Sequence, residues 1–211
     1  MSGYLIYHPF RAIAKFDTAV VYHDHIGGNQ DPYIWNTQFL HTYCHITQMM
    51  SNVGDINFWV SGDSFPNFSH LYCDLVFVVA EKMYWESANI IDRSDAIVDT
   101  DEAYNDHYRW AMYQHHFKRR RRYTLKADSK RSFQPQDLEM KLIDVLPFLL
   151  EQGRTIDDVR QGLRSGFNSK PLRLESLASS LYNWFEQYAP IKLDGVQLQN
   201  LRKSNSHLAS L

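Results

Sequence analysis

The stretch VGDINFWVSGDSFPNFSHLYCDLVFVV, residues 53–79, is the most continuously apolar part of the chain, and its reading decides the fold. In its first half Ile56, Phe58 and Val60 alternate with Asn57 and Trp59, the period-two signature of a strand. In its second half Leu71, Cys73, Leu75, Phe77 and Val79 share one face, and Tyr72, Asp74, Val76 and Val78 share the other. From Leu75 onward both faces are apolar, which predicts a central strand covered on both sides. Between the halves lies Ser61-Gly62-Asp63-Ser64-Phe65-Pro66-Asn67-Phe68, with turn chemistry at nearly every position. Phe65 and Phe68 either tuck under the sheet or form an aromatic rim, and tucking is the expectation because loop aromatics usually anchor their loop. Asp74 reads as an edge residue reaching solvent, with a buried acid of raised pKa as the alternative.

Working outward, Tyr4–Tyr7 and Thr18–Tyr22 are strand candidates, and residues 23–32 form a long turn rich in Gly and Asx. Residues 33–50 are expected to be helical, with Trp35, Phe39, Tyr43, Ile46 and Met50 on one face and Gln38, His41, His45 and Gln48 on the other. Residues 99–117 read as a second helix, acidic at its start and basic at its end, as the helix dipole favours. Residues 121–126 return as a strand. Residues 132–137 (SFQPQD) read as a linker-like break, followed by helices over 138–151, 155–164 and 172–188, the middle one opened by a Thr155…Asp158 capping pattern. The expected fold is α+β: a small mixed β-sheet flanked by helices, with a helical C-terminal third. Residues 1–131 would form the sheet-containing domain and 132–211 a helical extension packed on it. Trp184 and Phe185 are too large and clustered to be left in water, so that extension is expected to bury them against the sheet, a protein partner or a second copy.

Apolar residues make up 44% of the 211 and charged residues 22%, a globular composition with room for one sizeable domain. The two cysteines, Cys44 and Cys73, suit a reducing cytoplasm and exclude a disulfide framework or a cysteine-based zinc ribbon. No run has the length or apolarity of a signal peptide core or a membrane span, so a cytoplasmic protein without membrane contact is expected. Neither a phosphate-cradling loop, nor a dinucleotide fingerprint, nor a nucleophile elbow is present.

The sharpest chemical signal is basic. Residues 117–131 hold Lys118, Arg119, Arg120, Arg121, Arg122, Lys126, Lys130 and Arg131 against one acid, Asp128. That is a local charge of about +7 in a chain whose net charge is −2. Arginine forks match phosphate geometry, and Tyr123 offers a stacking face among them, so the segment points to nucleic acid. The plainer reading is a helix end and a strand whose arginines pair with the acidic remainder of the chain. A second constellation is metal-like: His23, Asp24 and His25 in a loop, with His41 and His45 one helical turn apart. Such a set could hold zinc with an open position for activating water, which would make the protein a metal-dependent hydrolase; otherwise no cofactor is expected.

The string Val53-Gly54-Asp55-Ile56-x-Phe58, followed by Leu75-Val76-Phe77-Val78-Val79, resembles the "GD-apolar-x-Phe" strand of PUA-like domains, the EVE, ASCH and nucleotide-modification-associated modules. The resemblance covers about an eighth of the chain. It implies a compact β-rich module that holds a modified or flipped base in an aromatic cleft, here lined by Phe58, Trp59, Ser61, Phe65 and Phe68. The arginine run would then hold the backbone nearby. The helices expected over 33–50 and in the C-terminal third depart from that pattern. Three functional expectations result: a nucleic-acid- or nucleotide-binding protein, a zinc-type hydrolase, or a structural subunit that docks a partner through its C-terminal helices.

Overall fold

The computed structural model describes residues 2–7, 12–24, 41–42, 51–84, 123–164 and 170–205. Its organising element is the expected strand pair, β5 (Ile56–Gly62) and β6 (Leu71–Tyr84). They run antiparallel from Ile56↔Val78 to Gly62↔Leu71. β1 (Gly3–Tyr7) lies parallel to β5 on its other edge, and a two-residue strand at Leu172–Arg173 pairs antiparallel with β1 beyond it. The sheet is therefore mixed, and with the helices below the fold is α+β.

β6 outruns its partner. Past Val78 it leaves β5 and pairs instead with β7 (Tyr123–Ala127), from Val79↔Ala127 to Tyr84↔Tyr123. A register shift between Val79 and Glu81 marks the hand-over. β7 in turn pairs with β4 (His41–Thr42), and β6 also meets β8 (Phe133–Gln136) at Val76 and β9 (Ile143–Asp144) at Tyr72 and Cys73. A separate hairpin joins β2 (Ala12–Phe16) to β3 (Ala19–Asp24). Two elements so far unlabelled complete the sheet: the strand at Leu172–Arg173 is β10, and β11 (Ile191–Asp194) pairs with β8.

The described helices are α1 (Leu146–Glu151), α2 (Ile156–Leu163), α3 (Leu177–Tyr188) and α4 (Gly195–Asn205). Thr155 caps α2 in a reciprocal box: its hydroxyl takes the Asp158 N–H at 3.1 Å, while Asp158 receives the Thr155 N–H. Asp194 and Gln197 form the same exchange at the start of α4. Two apolar clusters lie on opposite faces of the central strands, as the doubly apolar second half of the quoted stretch predicts. One gathers Leu5, Phe58, Val60, Val76 and Val78 under α1, α2 and α3, with Phe185 at 0% exposure stacked on Phe58. The other gathers Ile6, Trp59, Leu75, Phe77 and Leu125 under β3, β11 and α4. Gly3 permits the close approach of β1 to α3, since a Cβ there would lie 2.3 Å from the Ala178 Cβ.

Several expectations fail in instructive ways. Residues 133–136 are a buried strand and not a linker, because Gln134 and Gln136 serve the hairpin: Gln134 Oε1 accepts the Tyr22 N–H, and Gln136 Nε2 donates to the Val20 carbonyl. The helix expected over 138–151 begins only at Leu146, behind a turn and β9. The one expected over 172–188 begins at Leu177. His41 and Thr42 are extended, opposite Lys126 and Leu125, so the helix expected over 33–50 does not run through them; the rest of that segment lies outside the described residues, as does 99–117. Asp74 is 3% exposed and does not reach solvent. No helix among the described residues is long and apolar enough to cross a membrane.

Candidate functional site

The loop between β5 and β6 is held from below at several points. Asp63 Oδ1 accepts the Ser69 and His70 N–H groups at 2.7 and 3.0 Å, and these bonds, the one from His70 foremost, hold its carboxyl below the usual range. Phe68 is the anchor: 0% exposed, stacked on Tyr7 at 6.3 Å between ring centroids. Gly62 is required beneath it, because a Cβ there would lie 2.6 Å from the Phe68 Cβ. Arg160 of α2 clasps the same point from outside. Its Nε and Nη2 donate to the Phe68 carbonyl at 3.0 and 2.7 Å, Nη2 also reaches the Asn67 carbonyl at 3.3 Å, and its guanidinium lies 6.0 Å from the Phe68 ring centroid.

Phe65 is the loop phenylalanine left outside. It is 45% exposed, and its ring lies tilted against that of Tyr7 with 4.9 Å between the centroids. The expectation that both loop phenylalanines tuck holds for Phe68 and fails for Phe65, which forms the rim. Tyr7 is itself buried, and burial pushes its phenol up, helped by the nearby charges of Asp74 and Asp63.

Behind the loop, Asp74 occupies the extra position of a bulge, since Trp59 pairs with Leu75 and Val60 with Cys73. Ser61 Oγ donates to Asp74 Oδ1 at 3.2 Å, and Gln134 Nε2 donates to the Asp74 carbonyl at 2.8 Å. The neighbouring Cys73 thiol is pushed well up by burial, so it is a packed sulfur and not a nucleophile. At the outer corner His70 Nδ1 meets Asp144 Oδ2 at 2.9 Å, and Asp144 Oδ1 accepts from Leu71 N and Leu146 N, tying the head of β6 to the head of α1.

The expected site residues separate on this frame. Phe58, Trp59 and Phe68 have no exposed surface, and Phe58 and Trp59 belong to opposite clusters, so they do not line one cleft. Ser61 is buried against Asp74, which leaves Phe65 as the member of the aromatic set open to a ligand. Lys126 is 5% exposed within β7. Lys118, Arg119, Arg120, Arg121 and Arg122 lie outside the described residues; Tyr123, the next in the chain, opens β7 opposite Tyr84. Of the metal-like set, His25 and His45 lie outside the described residues, His23 and Asp24 end β3, and His41 sits on β4, away from the helical spacing that paired it with His45. Among the described residues no group of three or more His, Cys, Asp or Glu side chains could hold a metal ion. Tyr7 and Arg160 were missed by sequence reasoning, since nothing in the chain links either to a loop 58 or 92 positions away.

No protein-family model, curated protein or solved structure matches the chain.

Proposed function

We propose that this protein is a cytoplasmic nucleic-acid- or nucleotide-binding protein that stacks a base on Phe65 and contacts phosphates through the arginine run. The observation that carries this reading is the fate of the one acid in the basic segment. Asp128 Oδ1 is engaged by the backbone N–H groups of Lys130 and Arg131, at 3.0 and 3.1 Å, in the turn between β7 and β8. It closes that turn and pairs with neither the Lys130 nor the Arg131 side chain among the described residues. Lys130 and Arg131 are both exposed, and neither side chain pairs with an acid among the described residues. Phosphate is the natural counter-charge for such a segment. The PUA-like resemblance over Val53–Val79 points the same way, with the contact narrowed to Phe65. The helices after residue 145 act, in this reading, as a scaffold packed on the sheet.

Fluorescence anisotropy with labelled DNA and RNA tests it. Replacing Arg120 and Arg122 by alanine should weaken binding and flatten its salt dependence by about 0.7 per lost contact on a single strand, with little change in melting temperature. Absence of salt-sensitive binding by the unmodified protein to single- or double-stranded DNA or RNA at low ionic strength would overturn the proposal.

A further inference from the structure

The tip of the β2–β3 hairpin, β11 and α4 border a cleft of about 360 Å³. Thr18 and Ala19 of the hairpin, Leu193 of β11, and Gln197, Asn200 and Leu201 of α4 line it. The three helix residues stand at i, i+3 and i+4, so they share one face of α4. Ala19 and Leu193 are buried in the cluster around Trp59 and Phe77, and Leu201 packs against it, which gives the cleft an apolar floor. Thr18, Gln197 and Asn200 are exposed and form a polar rim. No charged side chain is among the described residues that line it. Tyr7 and Phe68, which support the Phe65 loop, belong to the other cluster, so the cleft and that loop are separate places on the molecule.

The rim has hydrogen-bonding groups to offer. Gln197 Oε1 accepts the Asp194 N–H at 2.9 Å, and Asp194 Oδ1 accepts the Gln197 N–H at 2.7 Å. This exchange fixes the Gln197 carboxamide at the head of α4 and leaves its Nε2 as a donor without a partner among the described residues. The Asn200 carboxamide, with donor and acceptor side by side, and the Thr18 hydroxyl are likewise unengaged among the described residues.

We infer that this cleft binds an adenine nucleoside, at a site distinct from the Phe65 loop and independent of the function proposed above. A charged ligand would find no counter-charge in the described lining, and an aliphatic one would cover the rim amides and leave them unpaired. A nucleobase meets both conditions, because its faces lie on apolar side chains while its edge carries donors and acceptors. The volume is near the lower end of the roughly 300–1,000 Å³ that ligand sites span, which suits one nucleoside. Adenine is the base whose N7 acceptor and N6 donor match a carboxamide bidentately, and Asn200 supplies that carboxamide. Gln197 Nε2 and the Thr18 hydroxyl remain for the other ring nitrogens and the ribose hydroxyls.

Titration of the full chain with adenosine, guanosine, cytidine and uridine, followed by NMR amide shifts and calorimetry, tests the inference. Adenosine should bind at one equivalent, at least about fivefold more tightly than the other three, and with little dependence on salt. Its shifts should centre on Thr18, Ala19, Gln197, Asn200 and Leu201. Asn200→Ala should weaken adenosine at least about fivefold and erase its advantage over guanosine; the position is exposed and its side chain holds nothing in place, so the melting temperature should stay unchanged. No adenosine binding up to about 10 mM, equal binding of the four nucleosides, or an Asn200→Ala variant that binds as before would each overturn the inference. Shifts confined to residues 63–70 would overturn it too, by placing the base on the Phe65 loop. Absence of salt-sensitive nucleic-acid binding would remove the function proposed above and leave this site standing.

Discussion

Replacing Phe68 by alanine separates the anchor of the β5–β6 loop from its presenter. Phe68 has no exposed surface, and it is enclosed by Tyr7, Gly62 and the Arg160 guanidinium. Removing its ring forfeits about 2–3 kcal/mol of transfer free energy and leaves a cavity that the pinned loop cannot collapse into, for a total of about 3–5 kcal/mol. In a chain of this size each kcal/mol moves the melting temperature by about 2–4 °C, so the variant should melt at least about 6 °C lower. Phe65→Ala, at a position already 45% exposed, should cost about 1 kcal/mol or less. Urea denaturation of both variants, with unchanged m-values, is the assay. If Phe68→Ala proved no more costly than Phe65→Ala, the division of roles between the two rings would be wrong.

Arg160→Ala should loosen the loop without unfolding the sheet: three donor contacts to loop carbonyls disappear, at a cost of about 1–3 kcal/mol, and amide exchange should quicken at Ser69 and His70 ahead of the core strands. Above all, the hydrogen bond that the His70 ring makes to the Asp144 carboxylate raises the His70 pKa above the ordinary imidazole value. A group whose folded pKa is raised lends its stabilisation fully below its unfolded pKa and loses it as pH rises through the folded one. The His70 ring titration followed by NMR should therefore lie above about 6.5 and fall back toward it in Asp144→Asn, and an unchanged midpoint would exclude the pairing. Cys73, tested in a Cys44→Ser background, should resist thiol reagents in the native protein and react only on unfolding; rapid native labelling would contradict its burial.

How far the chain could be read depended on whether a residue's neighbours in sequence were also its neighbours in space. β5, β6 and the α2 cap were legible because alternation and a three-residue capping exchange are local. β8 was not: its glutamines and Pro135 look like a linker until the hairpin backbone they dock, and β11, which pairs with it, are known. Pro135 is tolerated because β6 meets β8 only at Phe133, so the missing N–H interrupts no ladder with the central strand. Asp74 misled for a similar reason, since a carboxylate among apolar residues is placed by a bulge that no pattern announces. At the site, Phe65 was named but its partner Tyr7 and the clasp Arg160 were not, because tertiary packing alone brings them to the loop.

Photo-crosslinking tests the central claim most directly: a single strand of about 16 thio-substituted nucleotides is bound, irradiated and mapped by peptide mass spectrometry. Our account predicts adducts at Phe65 and within residues 117–123 from the same oligonucleotide, both suppressed by added salt as expected for a phosphate-dominated complex. Adducts confined to other surfaces, or none under conditions where the oligonucleotide binds, would contradict it.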